Sequence, residues 1–285
     1  MKHIFCAALT LLTSTIAWCA ADIGWIDAIN GNRNDVQILR EGKKIDATQF
    51  LPIQENDRIE VVNTRTTVVL SFANGKTVNI DKGHTQIAKN SGQVPTVAGN
   101  LLGWIARLGK NEPSSQNKVL ASSRGKGDSG KVSIPMLKND NFLVAGDRVL
   151  ALAWHGGKAP FTVKLIRRDN QAVIVTFTGV TDTKLVRQIN IQPGIYELVV
   201  SDASGTGWRE KLIAVANRTL PSSPLEFEDL PQDVRTALST SWLASTDDGQ
   251  WMLEAYTQIA TQPNHSAADL MVLRALEEGI TPKDN

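Results

Sequence analysis

The chain has 285 residues, of which 42% are apolar and 6% aromatic, with 30 basic and 29 acidic side chains. A chain of this length supports two or more ordinary domains with cores of their own. Its neutrality excludes the basic field that nucleic-acid binding needs. No apolar stretch beyond the first twenty-one residues is long enough to cross a bilayer, which takes about 20 residues.

Lys2 and His3 precede an uncharged run from Ile4 to Ala17, which ends in Trp18-Cys19-Ala20-Ala21 before the first acid, Asp22. A basic start, a short apolar stretch and small residues at the cut predict a secretory signal over residues 1–21, cleaved between Ala21 and Asp22. The run is short for an uncleaved anchor. A lipoprotein signal acylated at Cys19 would want a small residue where Trp18 stands. Both cysteines of the chain, Cys6 and Cys19, fall inside this segment, so the exported chain would be held by burial alone. Losing Lys2 with the signal leaves 29 charges of each sign. The expected location is the periplasm of a Gram-negative-type cell, with no membrane span after signal removal.

From Ile23 to about Ala88 the pattern is mostly strand. Val36 to Arg40 runs into a turn at Gly42, Arg58 to Val62 alternates in part, and Thr66 to Phe72 faces Lys76 to Ile80 across Ala73-Asn74-Gly75. A two-residue loop at Asn74-Gly75 would put Val78 and Ile80 on the face opposite Leu70 and Val68. A three-residue loop pairs Leu70 with Val78 and Val68 with Ile80, giving one apolar face. A slip of one residue inverts every side chain, so the pattern selects the three-residue loop with Gly75 left-handed. Asn100 to Leu108 then reads as a short helix that packs on this sheet through Leu101, Leu102, Trp104, Ile105 and Leu108.

Gly109 to Lys131 is rich in Lys, Ser, Gly and Asn and is expected to be a flexible linker. From Val132 to Arg218 about seven short strands alternate with turn signals, as in an antiparallel sandwich. Trp154 takes the place of a sandwich core tryptophan, and Pro193-Gly194-Ile195-Tyr196 that of a tyrosine corner. After Pro221 and Pro224 the period becomes helical. Pro231 suits a helix start, Asp248 suits the cap of a second helix, and Ser266 that of a third ending near Gly279. This tail is expected to pack on the sandwich or on itself rather than to form a docking repeat.

No catalytic set emerges, and neither a cofactor nor a metal is expected. Gly127-Asp128-Ser129-Gly130 matches a serine-protease tetrapeptide, but Lys131 replaces the following glycine and no histidine is suitably placed. His84, His155 and His265 fall one per section without ligand spacing. His155, beside Gly156-Gly157, is expected to be exposed at a sandwich tip. Asp247-Asp248 and Glu277-Glu278 read as helix-end charges.

Several of these segments resemble a known pattern. Val36 to Gly42, then Ile53 to Ile59 with Asn56-Asp57, then Thr67 to Phe72, Asn74-Gly75 and Val78 to Thr85 are similar to the FecR-type periplasmic domain. Asn56 stands where that family usually has glycine. The resemblance covers under a third of the chain and implies a periplasmic β module; the family's signalling regulators carry a cytoplasmic part for which this chain has no room.

The sequence therefore predicts a mainly β protein. Its parts are a signal over 1–21, a FecR-like β module with a short closing helix over 22–108, a linker over 109–131, an Ig-like antiparallel β-sandwich over 132–218 and a helical tail over 219–285. The expected function is non-enzymatic binding of an envelope partner, a protein or a glycan. The alternatives are an extracytoplasmic sensor subunit that binds a small ligand and signals to a membrane protein, and an envelope hydrolase.

Overall fold

The computed structural model describes residues 21–83, 85–89, 94, 96–110, 130–137 and 140–282. Residues 1–20 of the expected signal over 1–21, His84, and residues 111–129 of the expected linker, with the Gly127 to Ser129 part of the protease-like tetrapeptide, lie outside the described residues.

The first module consists of β1 (Asp22–Asn30), β2 (Val36–Arg40), β3 (Lys43–Asp46), β4 (Pro52–Gln54), β5 (Arg58–Val61), β6 (Thr67–Phe72), β7 (Thr77–Ile80) and β8 (Thr85–Ile87). They form two four-stranded antiparallel sheets, ordered β4-β1-β6-β7 and β3-β2-β5-β8. Ile23, Ile26, Ile38, Ile53, Ile59 and Leu70 fill the core they share. The β6–β7 register pairs Leu70 with Val78 and Val68 with Ile80, so the loop has three residues, as the apolar faces require. Gly75 sits at φ +77° and its N–H donates to the Phe72 carbonyl at 2.9 Å.

The helix α1 spans Thr96–Lys110, longer at both ends than the expected 100–108. Ala98, fully buried, extends the apolar face of Leu101, Leu102 and Ile105 one turn back. At the other end the helix absorbs Gly109 and Lys110, so the linker cannot start at Gly109. Nor does α1 merely close the first module. It packs against β1 and β4 and also against two of the C-terminal helices.

The sandwich holds β9 (Asn141–Val144), β10 (Gly146–Ala153), β11 (Phe161–Arg167), β12 (Val173–Val180), β13 (Lys184–Ile191), β14 (Gly194–Ser201) and β15 (Gly207–Val215). One sheet has five strands, ordered β12-β11-β14-β15-β9; the other pairs β10 with β13. All pairs are antiparallel except β9 with β15, which is parallel. Trp154 is buried edge-on against Phe161, with ring centroids 5.2 Å apart. The Tyr196 hydroxyl donates to the Gln192 carbonyl at 2.7 Å, forming the tyrosine corner.

Two strands cannot cover five. The remaining cover comes from the helices α2 (Gln232–Ser245), α3 (Met252–Ala260) and α4 (Ala267–Glu277). The helix α3 packs on β9 and β10, and the Trp251 ring meets Phe142 at 5.1 Å. Glu254, 3% exposed, accepts from Arg148 at 2.6 and 3.0 Å and from the Val144 N–H at 2.9 Å. The segment from 219 onward therefore shares its core with the sandwich. That same core reaches Trp104 on α1 and Trp25 and Phe50 of the first module.

The helix caps differ in one place from expectation. Ser266 caps α4, with Asp269 completing a capping box. Asp248 does not cap α3: Trp251 holds the N-cap position, and Asp247 and Asp248 are both left-handed, at φ 49° and 56°. The Asp247 carboxylate instead accepts from the Trp251 indole N–H at 2.9 Å. Packing of that indole decides where the helix begins.

Two substitutions test this construction. A Cβ at Gly75 would meet no atom within 4 Å, so Gly75→Val acts through backbone conformation alone and costs about 1–2 kcal/mol in urea unfolding. An unchanged midpoint rejects the register. Glu254→Ala strands the Arg148 guanidinium and the Val144 N–H, costs about 3–5 kcal/mol and lowers the melting temperature by roughly 10 °C. Glu254→Gln keeps an acceptor and loses less. Wild-type melting of the alanine variant would show that α3 is not part of the sandwich.

Candidate functional site

The most conspicuous motif in the sequence, Trp154-His155-Gly156-Gly157-Lys158, is a structural corner. Gly156 and Gly157 sit at φ +71° and +74°. A Cβ on the first would strike the Lys131 carbonyl, and one on the second would come within 2.8 Å of both Phe161 and Val132. The incoming chain crosses there, paired through Ser133 and His155 backbone bonds of 2.9 and 2.8 Å. The buried Asp202 carboxylate ties the corner down. It accepts from the Ser204 hydroxyl at 2.6 Å and from the Lys158, Ser204 and Thr206 N–H groups. These bonds, the Ser204 hydroxyl first, hold its carboxyl below the usual carboxylate range.

His155 is about half exposed, as expected, with Nε2 3.2 Å from the Glu277 carbonyl and 3.7 Å from a Glu278 carboxylate oxygen. His265 lies against the Ile259 carbonyl at 2.9 Å. Glu277 closes α4 by pairing with Lys184 and by accepting from the Tyr256 hydroxyl. Burial, and then the Glu277 charge, push the Tyr256 phenol up. Asp57, 1% exposed, accepts from Arg40 Nε and Nη2 at 2.9 and 2.7 Å and from the Gln54 N–H at 2.9 Å. Arg40 donates onward to the Pro52 carbonyl at 2.8 Å. These carboxylates join structural elements. Among the described residues no group of three or more His, Cys, Asp or Glu side chains could hold a metal ion.

Two clefts lie on the first module. One of 530 Å³ is lined by Arg33, Asn34, Lys44, Asp46 and Thr48; a neighbour of 390 Å³ shares Arg33 and Thr48 and reaches Gly109 and Met271 in the helical layer. The Thr48 hydroxyl is buried without a hydrogen-bond partner among the described residues. Phe50, two residues on, is held left-handed at φ +64°, an uncommon state for a bulky residue, with its ring in the shared core.

The surface that stands out chemically is the outer face of the five-stranded sheet. Tyr196, Leu198 and Val200 of β14 point into the core, so Ile195, Glu197 and Val199 point out. The register carries this phase across the sheet. Ile195 lies opposite Ile213, Glu197 opposite both Ile166 and Lys211, and Thr176 opposite Lys164. Ile166, Ile174, Ile195 and Ile213 thus form an apolar strip across four strands, none of it part of the core. Ile174 is 41% and Ile195 49% exposed, and Val173 beside them is 55% exposed. Lys164, Lys211 and a Glu197–Arg209 ion pair of 3.0 Å border the strip. An apolar centre with a charged rim is the anatomy of a docking surface. The sequence carries a trace of it in the doublets Leu165-Ile166, Ile195-Tyr196 and Leu212-Ile213. Each breaks strict alternation, but the residue facing outward is known only once the register is.

No protein-family model matches the chain, and no curated protein matches it. Among solved structures it is similar to a chain of the complex of Dpr1 IG1 with DIP-eta IG1, at 14% identity over 31% of this chain and 100% of that one, with a TM-score of 0.22. It is also similar to a chain of the ZIG-8–RIG-5 IG1 heterodimer, at 15% identity over 35% of this chain and 99% of that one, TM-score 0.22. A third is the SGBP-B protein of the Bacteroides ovatus mixed-linkage glucan utilization locus, in complex with a heptasaccharide. There the identity is 11% over 67% of this chain and 42% of that one, TM-score 0.22. Superpositions this loose leave function to be argued from this chain's own geometry.

The Asp202 corner makes a pH-dependent prediction. A carboxyl held below its ordinary 3.8 adds stability above that pH and loses it as pH falls toward the folded-state value. The stability gap between wild type and Asp202→Asn should therefore be constant from pH 7 to 5 and narrow below pH 4 in denaturant titrations. A gap independent of pH would mean that the ionised form is not what the corner holds.

Proposed function

We propose that this chain is an exported, non-enzymatic protein of the periplasm that holds an envelope protein on the outer face of its five-stranded sheet. The signal-like segment before Asp22 supports export. The FecR-like order of strands in residues 22–88 supports a periplasmic module, and in it the resemblance's Arg40 and Asp57 serve as a structural tie. Asn56, which replaces the family's glycine, sits at φ +69°, a conformation asparagine tolerates better than most residues. No helix of the described residues is long and apolar enough to cross a membrane.

The observation that carries the reading is the strip of Ile166, Ile174, Ile195 and Ile213, in which Ile174 and Ile195 are exposed and Ile166 and Ile213 are half-buried. A protein partner suits it better than a glycan, because sugar rings are gripped by exposed aromatic faces and the strip itself is aliphatic, with Trp25, Trp104, Trp154 and Trp251 buried and Trp208 and Trp242 only partly exposed elsewhere. The alternative of a small-ligand sensor would use the cleft at Arg33 and Lys44. Its exposed walls are the polar Arg33, Asn34, Lys44 and Asp46, and its apolar lining is limited to Val36, Ile45 and Ala47, which give a small molecule little apolar burial.

The test is capture from an envelope fraction with the mature protein and with Ile195→Glu/Ile213→Glu as baits, after mass spectrometry of the N-terminus. The expected results are an unmodified terminus at Asp22 and a protein enriched by the wild type and lost from the variant, whose melting temperature is unchanged because both positions lie outside the core. Equal capture by both baits, a retained leader, or turnover of an envelope substrate by the purified chain would overturn the reading.

A further inference from the structure

The two clefts of the first module share a wall. Arg33 and Thr48 line both, and Lys44 lines the larger, of 530 Å³. Arg33 and Lys44 are exposed, and neither side chain has a hydrogen bond or an ion pair among the described residues. Thr48 is 5% exposed, and its hydroxyl has no partner among the described residues. A threonine at that depth ordinarily bonds to a carbonyl, and an orphaned hydroxyl destabilises the fold. The wall is rigid on both sides. The Leu51 N–H donates to the Thr48 carbonyl at 3.2 Å, the Phe50 N–H donates to the Ile26 carbonyl at 2.7 Å, and the Phe50 ring is anchored in the core. Arg33 opens a 3₁₀ turn, Arg33–Asp35, capped by the Asn32 carboxamide and tied to β6 by the Thr66 hydroxyl, which donates to Asp35 at 2.8 Å.

We propose that this shared wall binds the phosphoryl group of a small molecule, with Arg33 and Lys44 supplying charge and N–H donors and Thr48 its hydroxyl. A phosphate monoester carries nearly two negative charges at neutral pH and three strong acceptor oxygens. That matches two cations and a hydroxyl, where a carboxylate offers one charge and two oxygens. The guanidinium of Arg33 can present two parallel N–H donors to it. A ligand held by charge needs little apolar burial, so the thin lining of Val36, Ile45 and Ala47 is no obstacle. The larger cleft has room for more than the phosphoryl group itself. Asp46 also lines that cleft and opposes an anion there. The site does not depend on the envelope partner proposed above, and it lies on a different module.

Isothermal titration of the full mature chain with inorganic phosphate and with glycerol 3-phosphate, at constant ionic strength set by chloride, tests this. At least one probe should bind at concentrations below about 10 mM. Equal affinities identify the free ion as sufficient, and tighter binding of the ester identifies a phosphorylated small molecule. Arg33→Gln and Lys44→Gln should each weaken binding about tenfold without changing the melting temperature of the free protein, because both side chains are exposed. Asp46→Asn should tighten it. Thr48→Val should raise the melting temperature of the free protein, by removing the orphaned hydroxyl, and weaken phosphate binding. A purely structural threonine would do neither. Absence of binding by both probes overturns the proposal, as does binding that chloride abolishes or that survives unchanged in Arg33→Gln, Lys44→Gln or Thr48→Val. Ile195→Glu/Ile213→Glu should bind phosphate as the wild type does, so loss of partner capture and loss of the anion site are separable.

Discussion

The Glu254 carboxylate sits 3% exposed between a helix and two strands, and most of the architecture follows from what it does there. An unpaired charge at that depth would cost several kcal/mol, so it is tolerable only with Arg148 on β10 in place. The same carboxylate accepts the Val144 N–H at the margin of β9. An apolar side chain of equal volume could fill the space but would orphan that edge N–H. Thr257, one turn along α3, bonds to both the N–H and the carbonyl of Ala151. Through these two residues α3 substitutes for the strands that the second layer lacks. The sandwich is complete only with its helices, and the helices are anchored only on the sandwich.

That arrangement propagates to the first module. Once α3 is fixed, α2 and α4 pack on it and leave apolar faces that α1 covers. The helix α1 in turn rests on β1 and β4, and β1 divides its side chains between two cores. Ile23 and Ile26 join the core of the eight-stranded module, whereas Trp25 joins the helical one. The two β modules are therefore connected through packed helices and not only through the chain between them.

How much of this was legible depended on whether the information was local. The β6–β7 register, the tyrosine corner at Tyr196, the core Trp154 and the Ser266 cap each rest on residues close in sequence, and each could be read from spacing. The strand β9 could not, because Asn141 to Val144 is short and its partner β15 lies some seventy residues away. The helix start at Trp251 was missed for a similar reason: Asp248 is a good cap by type, but burial of the neighbouring indole settled the boundary. The His155-Gly156-Gly157 motif reads from the sequence as an exposed sandwich tip. It is explained instead by a steric requirement at a chain crossing that no single sequence displays. The isoleucine strip was the reverse case, visible as broken alternation yet unassignable to a face without the register.

The two ends of the five-stranded sheet show what the helical layer can and cannot do. A helix laid on one end satisfies N–H groups there with a carbonyl and a carboxylate, and removes β9 from any further pairing. The second layer is only two strands wide, so the same device cannot reach β12, whose inward residues Val175 and Phe177 remain only partly covered. A free edge of eight uncharged residues is a hazard in any folded chain, because its unpaired N–H and C=O groups can template a further strand. Natural edges of that kind carry a lysine, a proline or a covering loop. This one is bulged twice instead, near Gly179 and at Ile174. Only Val175 to Phe177 stays in regular register with β11, and an edge bulged on both sides of so short a stretch is a poor template for a further strand.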